Sequence, residues 1–225
     1  MIDKWPFDEI YCIHCVEYKD RYTSSKKVFE KLGILDKVTY WYTCKRPISN
    51  FCGNKLLTLH SQYYDMVRGW NPNVYGGVFN CALEHYTVIK TAYLRGLEHI
   101  LIFEDDIYSN IEQDEWEKIL TYLPEDYDFI SFNNDAHHDG KSTDKHIEEK
   151  GSPFQKHSIK YAPFMNSTCC YALSKNGMKF YIDFNDRIFS YSDKFWMHIN
   201  KSKYNLYEIS PKIFQSHSNQ SIIVG

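Results

Sequence analysis

Residues 100–106 read Ile-Leu-Ile-Phe-Glu-Asp-Asp. Four large apolar residues in a row suit a short strand buried in a sheet, and this strand runs without a break into three carboxylates. Ligands of open α/β sheets gather at the carboxyl ends of strands. A strand ending in three acids therefore puts a dense negative charge where a ligand would sit. Like charges this close repel unless something positive lies among them.

Strand and helix signals alternate on both sides of this run, which predicts an α/β fold. A strand is expected over 9–16 and a helix over 21–32, with Asp20 or Thr23 as N-cap and Gly33 just past its end. A second strand is expected over 38–42. Residues 46–78 read as irregular, with a short helix over 56–67. Ala82, Tyr86, Ile89 and Tyr93 fall on one helical face, and Gly96 closes that helix. Beyond the acids come a helix over 114–123, a strand over 129–132 and a polar loop over 133–160. A strand follows over 168–173, then a helix to Phe184 capped by Ser174. A helix over 192–199 and a strand over 206–209 complete the pattern.

At 225 residues the chain is expected to form one domain spanning 1–225. Hydrophobic residues at 43% and charged residues at 24% exclude a disordered chain. The net charge of −3 gives no basic excess for nonspecific binding to nucleic acid. The opening MIDKWPFDEI lacks the basic and apolar regions of a signal peptide. Residues 100–103 are far short of the ~20 apolar residues that span a bilayer. The expectation is a soluble, cytoplasmic protein without a transmembrane segment. Seven cysteines, an odd number, fit thiols in a reducing compartment better than a disulfide framework. Cys12 and Cys15 form a C-x-x-C inside a strand, with Cys44 and Cys52 as conceivable zinc partners. Ordinary buried thiols are the expectation, since the redox motif belongs at a helix N-terminus.

A divalent cation is the natural counter-charge for Glu104, Asp105 and Asp106, because hard oxygens take Mg²⁺ or Mn²⁺ and leave positions open for phosphate. An acidic surface turn, or an Asp capping the next helix, is the alternative reading of the same residues.

The acids have company. Cys81-Ala82-Leu83-Glu84-His85, the helix ending at Gly96, and the Glu104-Asp105-Asp106 turn together resemble glycosyltransferase family 25. That family includes lipooligosaccharide and collagen galactosyltransferases. Asn80 and Glu84 stand where its pattern has Gly and Ser. Tyr171, Ser174 and Gly177 resemble its Tyr-x-x-Ser-x-x-Gly segment, and Pro211 with Gln215 its closing stretch.

The resemblance implies a GT-A fold: a Rossmann-like central mixed sheet flanked by helices. The nucleotide-sugar-binding half would cover about 1–110 and the acceptor-binding half about 111–225. It implies a UDP-sugar donor, Mn²⁺ or Mg²⁺, and transfer of a hexose, galactose or glucose, with inversion. The acceptor would be a glycan, a glycoprotein or a glycolipid.

On this reading Asp106 is a direct metal ligand, and Glu104 meets the metal, its water or the donor ribose. Asp105 completes the turn. His217 in the polar tail closes the metal shell or is a solvated His. His137, His138 and Asp139 form an alternative cluster. Asp193 is the general base for the acceptor hydroxyl, a role compatible with capping the helix it opens; Asp135 is the second choice. Ile13, His14 and Arg21 lie near the uracil and ribose, and Arg21 pairs with a phosphate or sits on the surface at a helix start. His85 lies near a helix N-terminus by the acids, as a donor-site or a structural His. Tyr63, Tyr64, Trp70, Tyr75, Tyr161, Phe164, Tyr191 and Trp196, in irregular stretches, are candidates for an acceptor surface.

The competing functions are a Mg²⁺-dependent nucleotidyltransferase or phosphatase, and a non-catalytic carbohydrate-binding relative. The first strand carries neither a Gly-rich phosphate loop nor a nucleophilic Asp, which speaks against the first pair.

Overall fold

A computed structural model describes residues 5–44, 72–133, 147–148, 152–156, 168–185, 203–209 and 213–216. In chain order its elements are β1 (Glu9–Cys15), α1 (Lys19–Lys31), β2 (Val38–Thr43), α2 (Pro72–Leu94), β3 (His99–Glu104), β4 (Ile107–Tyr108) and α3 (Gln113–Leu120). Then come β5 (Phe129–Ser131), β6 (Ile147–Glu148), β7 (Phe154–Lys156), β8 (Cys170–Ser174), α4 (Lys175–Phe184), β9 (Leu206–Ile209) and β10 (Gln215–Ser216). The main sheet runs β2-β1-β3-β8-β5-β9-β7-β6, and β4 pairs with β10 apart from it.

One half of the sheet is parallel: β2 and β3 flank β1. The order then turns mixed, because β8 lies antiparallel between β3 and β5. Strand alternation explains the two layers around it. Ile10 and Cys12 of β1 and Leu101 and Phe103 of β3 face Phe29 of α1 and Trp116 of α3. Tyr11 and Ile13 of β1 and Ile100 and Ile102 of β3 face Val88 and Ile89 of α2 and Met178 of α4. Both faces of the central strands are covered, so they read as unbroken apolar runs.

The expected α/β fold with a mixed central sheet is what forms. Several boundaries move. α1 begins at Lys19 with Tyr18 at its cap, so Asp20 lies inside the first turn, and the Thr23 hydroxyl donates to the Lys19 carbonyl at 3.2 Å. Gly33 closes the helix at φ 68° and Gly96 follows α2 at φ 78°, the left-handed conformation that favours glycine. α2 begins at Pro72, a favoured first helical residue, so part of the stretch read as irregular is helix. The expected helices over 56–67 and 192–199 lie outside the described residues. The loop read over 133–160 contains β6 and β7, which continue the sheet beyond β9.

The Tyr171-x-x-Ser174-x-x-Gly177 segment has a mechanical basis. The Ser174 hydroxyl accepts the Gly177 N–H at 3.2 Å, capping α4. A Cβ on Gly177 would lie 2.0 Å from the Asp128 carbonyl oxygen, so only glycine lets α4 approach β5 this closely. Among the described cysteines, Cys12 is fully buried, and the Cys15 thiol donates to Glu17 at 3.0 Å. Burial pushes both thiols up, Cys15 to about 12, which fits ordinary buried thiols and not a redox thiolate.

Candidate active site at the carboxyl end of β3

β3 ends at Glu104, and Asp105-Asp106 form the turn into β4. Strand alternation therefore governs Glu104 but not the two aspartates. Parallel pairing sets Ile13 of β1 opposite Glu104, and the antiparallel neighbour puts Ile102 opposite Tyr171. The ends of β1 and β3 thus meet the start of α1 at one edge of the sheet.

Asp105 is the most fully engaged of the three acids. His14 Nδ1 lies 2.7 Å from one carboxylate oxygen, and the Cys15 N–H donates to the same oxygen at 3.2 Å. Arg21 donates to the other at 3.3 Å. Burial still raises the Asp105 pKa, against the pull of His14 and Arg21. Arg21 is buried in the first turn of α1 rather than on the surface, with its guanidinium 4.7 Å from the Tyr18 ring centroid.

Glu104 turns toward the opposite layer. It accepts from the Thr168 hydroxyl and lies 3.1 Å from His85 Nε2. Burial pushes its pKa up, but the hydrogen bonds and charge of His85, with Thr168 and Arg21, outweigh that and hold it low. His85 is fully buried in the interior of α2, not near a helix N-terminus, because the helix begins at Pro72. Its Nδ1 lies 2.6 Å from the Tyr171 hydroxyl.

Asp106 is buried and poorly compensated. Its nearest cation among the described residues is Arg21, at 3.7 Å. Burial, then repulsion from Glu104 and Asp105, pushes its pKa up to about 7. Two buried polar atoms here have no hydrogen-bond partner among the described residues: Asp106 Oδ1 and Arg21 Nη2. An unsatisfied buried oxygen suits a cation, and an unsatisfied guanidinium N–H suits an anion.

Beside this edge His14, Tyr22, Tyr40 and Tyr42 pack ring against ring, with centroids 4.8–6.2 Å apart. Tyr42 is 60% exposed. The structure thus brings together Ile13, His14, Arg21, His85, Glu104, Asp105 and Asp106. Asp135, Asp193, His217, the His137-His138-Asp139 cluster and the expected acceptor aromatics other than Tyr75 lie outside the described residues; Tyr75 falls in α2 and not in an irregular stretch, because the helix begins at Pro72. Sequence reasoning assigned no site role to Cys81, Thr168 or Tyr171. Cys81 stands one helical turn before His85, a readable signal; Thr168 and Tyr171 arrive through the β3–β8 pairing, which has none.

A family model described as glycosyltransferase family 25 (LPS biosynthesis protein) matches residues 58–196, more than half of the chain. The chain belongs to glycosyltransferase family 25. Its mixed α/β architecture agrees with the GT-A fold that the resemblance to this family implies. The matched span includes Cys81, His85, Gly96 and the acid turn.

Among solved structures the chain is similar to a glycosyltransferase involved in the glycosylation of the major capsid of PBCV-1. Identity is 12% and the TM-score 0.37, over 78% of this chain and 63% of that one. The chain therefore spans less than two thirds of that enzyme's length. It is also similar to a mannose-1-phosphate geranyltransferase from Thermus thermophilus, at 9% identity and a TM-score of 0.43, over 92% and 75%. A third is the galactosyltransferase LgtC in complex with donor and acceptor sugar analogs, at 7% identity and a TM-score of 0.36, over 82% and 67%. No curated protein matches the sequence. Among the described residues, no helix is long and apolar enough to cross a membrane.

Proposed function

We propose that this glycosyltransferase moves a hexose, galactose or glucose, from a UDP-sugar to a hydroxyl of a glycan or of a protein- or lipid-linked acceptor, with inversion. The observation that carries the reading is the pair of unsatisfied buried groups, Asp106 Oδ1 and Arg21 Nη2, at one strand end. A divalent cation and an anionic diphosphate are the ligand pair that would satisfy both.

The fit to Mn²⁺ or Mg²⁺ rests on the donor set: buried carboxylate oxygens in excess over the one arginine. Asp106 would hold the ion, with Glu104 and His217 as further candidate ligands. The ion, when bound, lowers the charge on the departing UDP. Arg21 keeps one N–H on Asp105 and directs the other to a phosphate oxygen. Asp105, fixed by His14 and the Cys15 N–H, holds Arg21 in place. Ile13 and His14 line the end of β1 where the nucleoside would lie, and the exposed ring of Tyr42 offers a stacking face. His85 supports the site through Glu104. An inverting transfer needs a base on the acceptor hydroxyl; Asp193 is our first candidate and Asp135 our second.

The test is UDP-sugar hydrolysis and transfer with and without Mn²⁺, in the natural chain and in Asp106→Asn. The expected outcome is strict metal dependence, with a loss of roughly 10²–10³-fold in kcat/KM for the variant, the scale of losing one charge-stabilising group. Turnover that ignores both the metal and the substitution overturns the reading.

A further inference from the structure

The acid turn meets a second set of ligating atoms on the α2 side of the sheet. Cys81 and His85 stand four residues apart on α2, so both side chains leave the same helical face. Glu104 reaches them from the end of β3. The Cys81 sulfur, a His85 ring nitrogen and a Glu104 oxygen all lie within 4.8 Å of one another. We propose that these three side chains form a binding site for a zinc-class divalent cation, centred away from the ion position proposed at Asp106, with Glu104 the one side chain that both positions can share.

Three features support the site. The donor set is mixed: a thiolate and an imidazole favour a borderline-soft cation such as Zn²⁺, whereas Mn²⁺ and Mg²⁺ favour oxygen. The His85 ring is already oriented. Its Nδ1 is engaged by the Tyr171 hydroxyl at 2.6 Å, and Nε2 is left on the Glu104 side, 3.1 Å from the carboxylate. A histidine whose second nitrogen is fixed by a partner is the usual arrangement around metal-bound imidazole. The Thr168 hydroxyl holds Glu104 in the same way. The ligands also come from two elements, α2 and β3, so an ion here would clip helix to sheet next to the acid turn.

Binding balances by proton release. The Cys81 thiol releases its proton to solvent when the ion binds, and His85 ligates through an unprotonated Nε2. Three protein donors leave a fourth position of a tetrahedral ion to water or to a substrate oxygen. The site does not rest on the donor-site reading, and Asp106 is not one of its ligands.

The experiment loads the full chain, stripped of metal, with Co²⁺ as a spectroscopic stand-in and with Zn²⁺ against a chromophoric chelator. We expect one equivalent bound with a thiolate-to-cobalt charge-transfer band. That band should vanish in Cys81→Ser and persist in Asp106→Asn. Tyr171→Phe removes only the hydroxyl that orients His85, and should weaken Zn²⁺ by roughly 10-fold or more. Should Cys81→Ser fail to fold, alkylation of the natural chain decides instead: Zn²⁺ should protect Cys81 and leave the exposed Cys44 reactive. No bound equivalent, a band that survives Cys81→Ser in folded protein, or protection that does not include Cys81 overturns the proposal.

Discussion

Asp106 costs the metal-free fold stability, and its pH dependence follows from its surroundings. Its pKa rises from 3.8 to about 7 on folding, by burial first and then by Glu104 and Asp105. Between those values the folded chain holds a proton that the unfolded chain has lost. The contribution to stability is therefore complete below about pH 4 and is lost as pH rises through about 7. On the proposed function, metal binding would run the other way, because the ion needs the carboxylate. Mn²⁺ affinity should fall up to ~10-fold per pH unit below 7. Asp106→Asn removes both dependences. At pH 8 without metal the variant should be more stable than the natural chain by about 1–3 kcal/mol, a discount on ~1.4 kcal/mol per pKa unit. Urea unfolding at pH 5 and pH 8 checks this. A natural chain with equal stability at both pH values, or a variant weaker at pH 8, contradicts the assignment of a raised pKa.

At the scale of elements, the junction of β5, β8 and α4 rests on a missing side chain. Gly177→Ala places a methyl 2.0 Å from the Asp128 carbonyl, a backbone atom that also accepts the Ser174 N–H at 3.1 Å. Backbone cannot step aside as a flexible side chain can, so α4 must shift off β5. The expected cost is about 2–4 kcal/mol, in the range of overpacked and strained sites, read as a lower urea midpoint. A cost under ~0.5 kcal/mol would mean that the helix slides freely. The same elements show what sequence conveys. β3 and the interior of α2 were legible because apolar runs and helical periodicity are local properties. The start of α2 was hidden because Gly76 and Gly77 look like breakers, although each costs a helix only about 1 kcal/mol relative to Ala. β6 and β7 were hidden because they are two and three residues long and borrow their order from β9. The acid turn was legible as a strand running into carboxylates. Its partners were less so: His14 and Asp105 are separated by 91 residues, and His85 and Tyr171 by 86. Such contacts exist only once strand register is set.

At the scale of the molecule, the sheet divides its labour between a parallel half and a mixed half. β2, β1 and β3 carry the acid turn and the aromatic rings around His14 at their carboxyl ends, while β8 enters antiparallel and locks β3 through Tyr171 and its neighbours. Because the central strands are buried on both faces, ligand binding at one edge couples to the stability of both helical layers. A ligand that binds only the folded chain stabilises it by about 2.7 kcal/mol at 100 times its Kd. For a chain of this size that is a rise in Tm of roughly 5–11 °C. UDP with Mn²⁺ should reach that range. On the proposed function, UDP with a chelator should give a much smaller shift, because Arg21 would then meet the diphosphate without the ion and Asp106 would repel it. Substituting Arg21→Gln should shrink both shifts, since Nη2 is the one buried donor without a partner at this edge among the described residues. Thermal melts monitored by tryptophan fluorescence separate the cases. Equal shifts with and without metal would remove the cation from donor binding, and shifts that survive Arg21→Gln would place the diphosphate elsewhere on the sheet.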